Sequence, residues 1–300
     1  MTVQFGVSIN PTLDVENGYR LAAAAEHSGL SLIGVQDHPY VNNYIDAFVF
    51  IGQLLARTRS LSVLTDVANL PLRPPAMLAR TASALSRVSG GRFVLGLGAG
   101  GYWDAITSMG MPRRSSAEGR RALAEAVQLM RELWQPGAKV TRSGEFASVS
   151  GLAGQGPAVP IWIGAQGPRT LAVTGRLGDG WAAPIPSYLP YEQYAPANAI
   201  IDRAAEATGR LPAAVTRVVQ LVGTINPTTH GTTYRSPDLV GAAPIRTDAR
   251  GWAETLVRLA TEQPFTVFVF WPEKGEDMQV RRFGEDVAPM VTASLGAHRG

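Results

Sequence analysis

Short apolar runs alternate with longer stretches whose apolar residues recur every three or four positions, and this alternation spans nearly all of the 300 residues. Gln4–Ile9 reads as a first strand, followed by a helix from Asp14, whose carboxylate suits an N-cap, to about Ser28. Leu32–Gln36 is the second strand, with a helix over Asp46–Thr58. Leu61–Val67 is the third, with a helix over Pro74–Val88, where two prolines fit the first turn. Arg92–Gly98 is the fourth. The helix after it is the clearest: Ser115-Ser116-Ala117-Glu118 is a capping box, and Leu123, Val127, Met130, Leu133 and Trp134 follow at helical steps.

A polar, glycine-rich insert, about Gly137–Gly156, precedes the fifth strand, Ile161–Gly164, and its helix, Pro168–Leu177. Gly180–Ala183 is a short sixth strand with a helix near Tyr191–Thr208. Arg217–Ile225 is the seventh, Pro227–Thr247 a long loop, and Asp248–Gln263 a helix. Phe265–Trp271 is the eighth strand, closed by a helix near Glu276–Leu295.

Alternating strands and helices imply a parallel sheet covered by helices. Eight units in this length fit a single α/β domain over residues 1–300, a (β/α)8 TIM barrel with loop insertions after strands four, five and seven, better than an open sheet. Runs such as Phe93-Val94-Leu95 and Val267-Phe268-Val269-Phe270 are apolar throughout, as strands buried on both faces are. Active sites of such barrels lie at the C-terminal strand ends, which puts Asp37, His38, Asp66, Gly98 and Gly164 on one rim.

Composition narrows the chemistry. No window approaches the ~18 consecutive apolar residues of a membrane span, and Met1-Thr2-Val3-Gln4-Phe5 lacks the pattern of a secretory signal, so a cytoplasmic protein without membrane contact is expected. With no cysteine there are no disulfides, thiolate nucleophiles or cysteine-ligated metals. The net charge is +3 and the arginines are scattered, which gives nucleic-acid binding no support.

On the rim, Asp37-His38 pairs a carboxylate with an imidazole suited to proton transfer near neutral pH, or is a capped strand end with a surface histidine. Gly96-Leu97-Gly98-Ala99-Gly100-Gly101 has the dinucleotide spacing, but its glycines begin inside a strand and no acidic second strand follows, so the Rossmann reading fails. What remains is close backbone approach to a flat ring or phosphate, or a tight turn. Gly164-Ala165-Gln166-Gly167-Pro168, opening a helix, suits a phosphate or an ordinary turn.

Other chemistries find no residues. Asp37 and Asp66 are the only acids at these strand ends and come from adjacent strands, which is poor geometry for a glycosidase. The only lysines, Lys139 and Lys274, are off the rim, and His27, His230 and His298 lack metal-ligand spacing. No nucleophile-elbow serine is present. A cofactor enzyme is what remains.

Taken together, Gly34–His38, Leu70-Pro71-Leu72-Arg73-Pro74-Pro75, Ser89–Gly100, Pro160–Gly164, Gly167-Pro168-Arg169 and Gly175–Trp181 resemble the bacterial luciferase-like monooxygenase superfamily. The likeness runs nearly end to end and is greatest to its deazaflavin (coenzyme F420) branch. It implies a (β/α)8 barrel that carries hydride between coenzyme F420 and a small-molecule substrate. His38 would manage the proton and Asp37 would orient it or tune its pKa. Asp66-Val67 matches the position where that branch carries a non-proline cis peptide behind the ring.

The resemblance also implies cofactor contacts from Asp66, Val67, Asn69, Gly98, Ala99, Gly100, Gly101, Tyr102, Gly164, Ala165, Gln166, Gly167 and Pro184. Arg113-Arg114 would meet the coenzyme's anionic tail or form a solvated basic pair. Tyr102 and Trp103 would wall the site or pack on the next helix. A homodimer and a separate flavin or F420 reductase are further implications. In the luciferases proper an arginine after strand four grips the flavin phosphate, whereas Ala99 stands here. An FMN-dependent two-component monooxygenase is the alternative within the family, and a non-catalytic flavin-binding protein the alternative outside catalysis.

Overall fold

The computed structural model describes residues 3–227 and 239–297. The barrel strands are β1 (Gln4–Ser8), β2 (Leu32–Val35), β3 (Ser62–Thr65), β5 (Phe93–Gly98), β8 (Ile161–Gly164), β9 (Gly180–Ala183), β10 (Thr216–Ile225) and β12 (Val267–Pro272). Each pairs in parallel with the next, and β12 pairs back onto β1 with Phe5 opposite Phe268, so the sheet closes on itself.

Alternation along the strands splits the core in two. Leu32, Leu64, Val94, Trp162, Ala182, Val218, Val267 and Val269 point inward and fill the barrel. The residues between them, such as Ile33, Val63, Phe93, Ile163, Trp181, Val219 and Phe268, point outward against the helices. Residues near the C-terminal strand ends on the inward face therefore have only the barrel mouth above them. Asp66 continues this inward row on the third strand above Leu64, and Gln220 does so on the seventh above Val218.

The helices begin where their caps predict. Asp14 accepts from Asn17 N–H at 3.1 Å to start α1 (Val15–His27), and Asp46 accepts from Phe48 and Val49 N–H to start α2 (Ala47–Arg57). Pro75 opens α3 (Pro75–Val88). Ser115 and Glu118 form the capping box of α5 (Ser116–Leu133).

Several expectations change in detail. The third strand ends at Thr65; a cis peptide at Asp66–Val67 follows, and Ala68–Asn69 resumes as β4 on β5. The loop after β5 carries a short helix, α4 (Trp103–Ser108). The insert before the fifth strand is an antiparallel hairpin of β6 (Lys139–Ser143) and β7 (Ser148–Ala153). No insertion follows the fifth strand: residues 165–167 lead straight into α6 (Pro168–Leu177), because Pro168 already starts the helix. The longer excursion follows the sixth strand, at residues 184–190, before the turn into α7 (Tyr194–Glu206).

Residues 228–238 of the loop after strand seven lie outside the described residues. Its end is not irregular: β11 (Ile245–Thr247) pairs in parallel with the end of β10 before α8 (Ala249–Glu262). The last helix is α9 (Asp277–Arg282), a π turn at Phe283–Val287 and α10 (Ala288–Ala297). Among the described residues no helix is long and apolar enough to cross a membrane.

Candidate functional site

A cavity of about 360 Å3 opens at the C-terminal mouth of the barrel. β2 ends at Val35, and the chain carries Asp37 and His38 onto the rim with their side chains in different surroundings. Asp37 is 1% exposed. Its carboxylate accepts from Arg73 Nε at 2.7 Å and Nη2 at 2.6 Å, and from Asn69 N–H at 2.9 Å. These bonds use both oxygens, so Asp37 does not hold the imidazole as expected; it reaches His38 through its charge alone.

His38 instead places Nδ1 2.7 Å from the Tyr40 hydroxyl. Tyr102 meets its ring edge-on at 5.6 Å between centroids. Burial lowers the His38 pKa, and the Asp37 charge opposes this in part. His38 is thus held neutral near pH 7, the form that can accept a proton.

The three tyrosines wall this side of the mouth. Tyr102, after β5, and Tyr188, after β9, touch through their hydroxyls. That hydrogen bond, with burial, pushes the Tyr188 phenol up to about 12. Burial raises Tyr40 further.

Val67 lies across the glycine strand ends. A Cβ on Gly98 would come within 2.9 Å of Val67 Cγ2, and one on Gly164 within 3.0 Å. Gly100 has φ +94° and packs against Pro71 and Trp103. These glycines therefore answer to the protein's own packing. Gly101 and Gly167 have open space where a Cβ would stand, so of the glycines in these two loops only they leave room for a visitor on those grounds.

Asp66 and Gln220 line the cavity beneath this rim. Gln220 Nε2 donates to Asp66 Oδ1 at 2.8 Å and to Ala183 O at 3.1 Å. Asp66 is 7% exposed, and burial pushes its carboxyl up to about 7 against the relief from Gln220. Asp66 Oδ2 and Asn69 Oδ1, on two residues that line the cavity, are buried without a hydrogen-bond partner. Buried polar atoms are normally paired, so such a group of orphans suits a polar ligand. With the Val67 platform and the open space at Gly101, the residues fit a flat, polar-edged ring.

Of the residues expected at the site, Asp37, His38, Asp66, Val67, Asn69, Gly98, Ala99, Gly100, Gly101, Tyr102, Gly164, Ala165, Gln166 and Pro184 all line this cavity. Gly167 does not; it caps α6 outside. Trp103 packs against Gly100 and Gly119 of α5, so of this pair only Tyr102 lines the site. Arg113 is ion-paired with Asp104 and Arg114 lies over Phe146 at 5.0 Å, so neither lines the mouth. His27 closes α1 on Ala23 O, and His230 and His298 lie outside the described residues.

Sequence reasoning missed Tyr40, Tyr188, Gln220 and Arg73. Gln220 carried a signal, a lone amide inside the apolar run Val218–Val222. Arg73 lies in the Leu70–Pro75 segment, where the sequence gives it no partner. The tyrosines had no signal, since loops bring them together.

The luciferase-like monooxygenase family model matches residues 2–230. A 5,10-methylenetetrahydromethanopterin reductase from Archaeoglobus fulgidus is 32% identical over 182 residues, covering 59% of this chain and 52% of the relative. An F420-dependent glucose-6-phosphate dehydrogenase from Kineococcus radiotolerans is 32% identical over 171 residues, 53% of this chain and 50% of the relative. The chain thus spans about half the length of the curated relatives it matches. The structure of an F420-dependent secondary alcohol dehydrogenase in complex with an F420-acetone adduct superposes with a TM-score of 0.81 at 20% identity, covering 97% of this chain and 99% of the other, which is a likeness of fold. The chain belongs to the luciferase-like monooxygenase family.

Proposed function

We propose that this protein is an oxidoreductase that binds coenzyme F420 at the barrel mouth and, with it, moves a hydride to or from a small organic substrate. The observation that carries this reading is the Val67 platform, packed on Gly98 and Gly164 at the edge of a cavity that a neutral His38 borders. The curated relatives support it, one being an F420-dependent dehydrogenase by name. Ala99, standing where the luciferases proper carry the arginine that grips the flavin phosphate, supports F420 over flavin mononucleotide.

The coenzyme supplies hydride chemistry when bound; the chain supplies the surroundings. Val67 would back the ring, and Gly101, Ala165 and Gln166, which line the same cavity, would border its side chain. His38 holds the accompanying proton on Nε2, because Nδ1 is committed to Tyr40. Asp37, fixed by Arg73 and Asn69, anchors the loop that carries His38. Tyr102 and Tyr188, joined through their hydroxyls, border one side of the mouth. A cytoplasmic homodimer, served by a separate reductase, belongs to the same reading.

The test is turnover. Purified protein with F420 and a panel of small alcohols, or with reduced F420 and small carbonyl compounds, should change the coenzyme's absorbance. Turnover only with reduced FMN and oxygen would contradict the proposal.

A further inference from the structure

Among the described residues, Asp66 is the one acid lining the cavity without a cation. Its neighbour on the rim, Asp37, has Arg73, and Arg73 has no reach to spare, since it also bonds Asp46 at 2.8 Å. The groups that share the cavity with Asp66 come from several strands of the barrel. β2 contributes Gly34, whose absent Cβ would lie 2.9 Å from Asp66 Oδ2, and after it Gln36, Asp37 and His38. β10 contributes Gln220, β9 Ala182 and β12 Trp271, while the strand ends at Gly98 and Gly164 add no charge. Among the described residues, the other ionisable groups that line the cavity are Asp37, His38, Tyr40, Tyr102 and Tyr188.

The hydrogen bonds also fix which oxygen is which. Gln220 Nε2 has two acceptors, Asp66 Oδ1 and Ala183 O, so the amide cannot be turned over without setting oxygen against oxygen. Oδ1 therefore accepts. Oδ2 is buried and has no partner. A buried carboxylate with a single amide donor and no counter-cation is costly, and a proton removes the charge. The only place for that proton is Oδ2, where it makes a donor in search of an acceptor.

We propose that Asp66 holds its proton on Oδ2 and donates it, as a hydrogen bond, to a ring carbonyl oxygen of the flavin-type coenzyme bound in the cavity. Oδ2 lies against Gly34, and rotation about aspartate's soft carboxyl torsion, with Gln220 following Oδ1, is what brings it to the cavity. Asp66 is thus a neutral acid that reads the ring's polar edge, and Gln220 is the residue that orients it. The assignment of the ring rests on the F420 reading above; the protonation of Asp66 does not.

Two measurements separate these. In ligand-free protein, carboxyl-labelled aspartate NMR and the infrared difference between wild type and Asp66→Asn should show a protonated Asp66 at about pH 6 that ionises near neutrality, as burial without a cation dictates. An ionised Asp66 at that pH overturns the proposal. With coenzyme F420 or FMN bound, the acid's carbonyl band should shift. Coenzyme affinity should fall as pH rises past neutrality in wild type. It should stay level in Asp66→Asn, whose Nδ2 donates at every pH, and should be ~5- to 10-fold weaker in Asp66→Ala. Equal pH slopes in wild type and Asp66→Asn, or a band that bound coenzyme leaves in place, overturn the donor role. Failure of both coenzymes to bind overturns the proposed function instead, with Asp66's protonation decided by the ligand-free spectra.

Discussion

Arg73 grips Asp37 with two parallel hydrogen bonds, 2.7 Å from Nε to Oδ2 and 2.6 Å from Nη2 to Oδ1. The pair ties the loop after the third strand to the end of the second, and Arg73 extends the tie to α2 through Asp46 and the face of Phe48. The loop that presents His38 is fixed by this clamp from below and by Tyr40 from its own side.

Breaking the clamp on one side leaves Asp37 buried without a cation. Arg73→Met should destabilise the fold by about 3–5 kcal/mol in chemical denaturation, because the removed partner strands a charge in the interior. Asp37→Asn in the same background should restore part of that loss. A cost below about 1 kcal/mol for Arg73→Met would mean that the carboxylate finds water.

His38 is the proposed proton carrier. Its replacement by alanine should lower turnover by about 10²- to 10⁴-fold while coenzyme affinity changes little. Tyr40→Phe removes the Nδ1 partner and should displace the pH profile of turnover rather than abolish activity. Near-wild-type turnover in His38→Ala would end the proton-transfer role.

The platform can be tested by crowding it. Gly98→Ala and Gly164→Ala each drive a methyl into Val67, a stiff β-branched side chain, and should cost about 1–3 kcal/mol in thermal or chemical unfolding. Val67→Ala should recover most of this in the double variants. Gly101→Ala meets nothing within 4 Å and should leave stability unchanged, so any loss it causes would be read in coenzyme affinity.

Much of this was legible in the sequence, for identifiable reasons. Strands buried on both faces announce themselves as apolar runs, and caps such as Asp14, Asp46 and Ser115 mark where helices start, so the eight units could be ordered without coordinates. Strand ends fix a rim, which gathered Asp37, Asp66, Gly98 and Gly164 correctly. What the sequence could not carry was direction. Adjacent residues in extended chain face different surroundings, so Asp37 bonds Arg73 rather than the neighbouring His38. The glycines misled in part, because Gly98 and Gly164 are small to admit Val67. Tyr188 reaches Tyr102 across 86 residues, and no spacing encodes that.

Stability should carry the signature of Asp66. Its folded pKa, about 7, stands above the ordinary 3.8, so the folded state binds more protons than the unfolded chain between those values. The stabilisation this provides is complete at low pH and is lost as pH rises through about 7. His38, lowered by burial, acts in the opposite sense, and both proteins compared carry it. Asp66→Asn should therefore gain stability relative to wild type as pH rises from about 4 to about 7 in denaturant titrations; a constant difference across that range would contradict a raised pKa.

The most direct test of the central claim is a parallel titration of the purified protein with coenzyme F420 and with FMN, followed by the fluorescence of each ring. The account predicts micromolar binding of F420 and far weaker binding of FMN, with F420 affinity reduced by a bulky substitution at Gly101. Tight binding of FMN alone would contradict it.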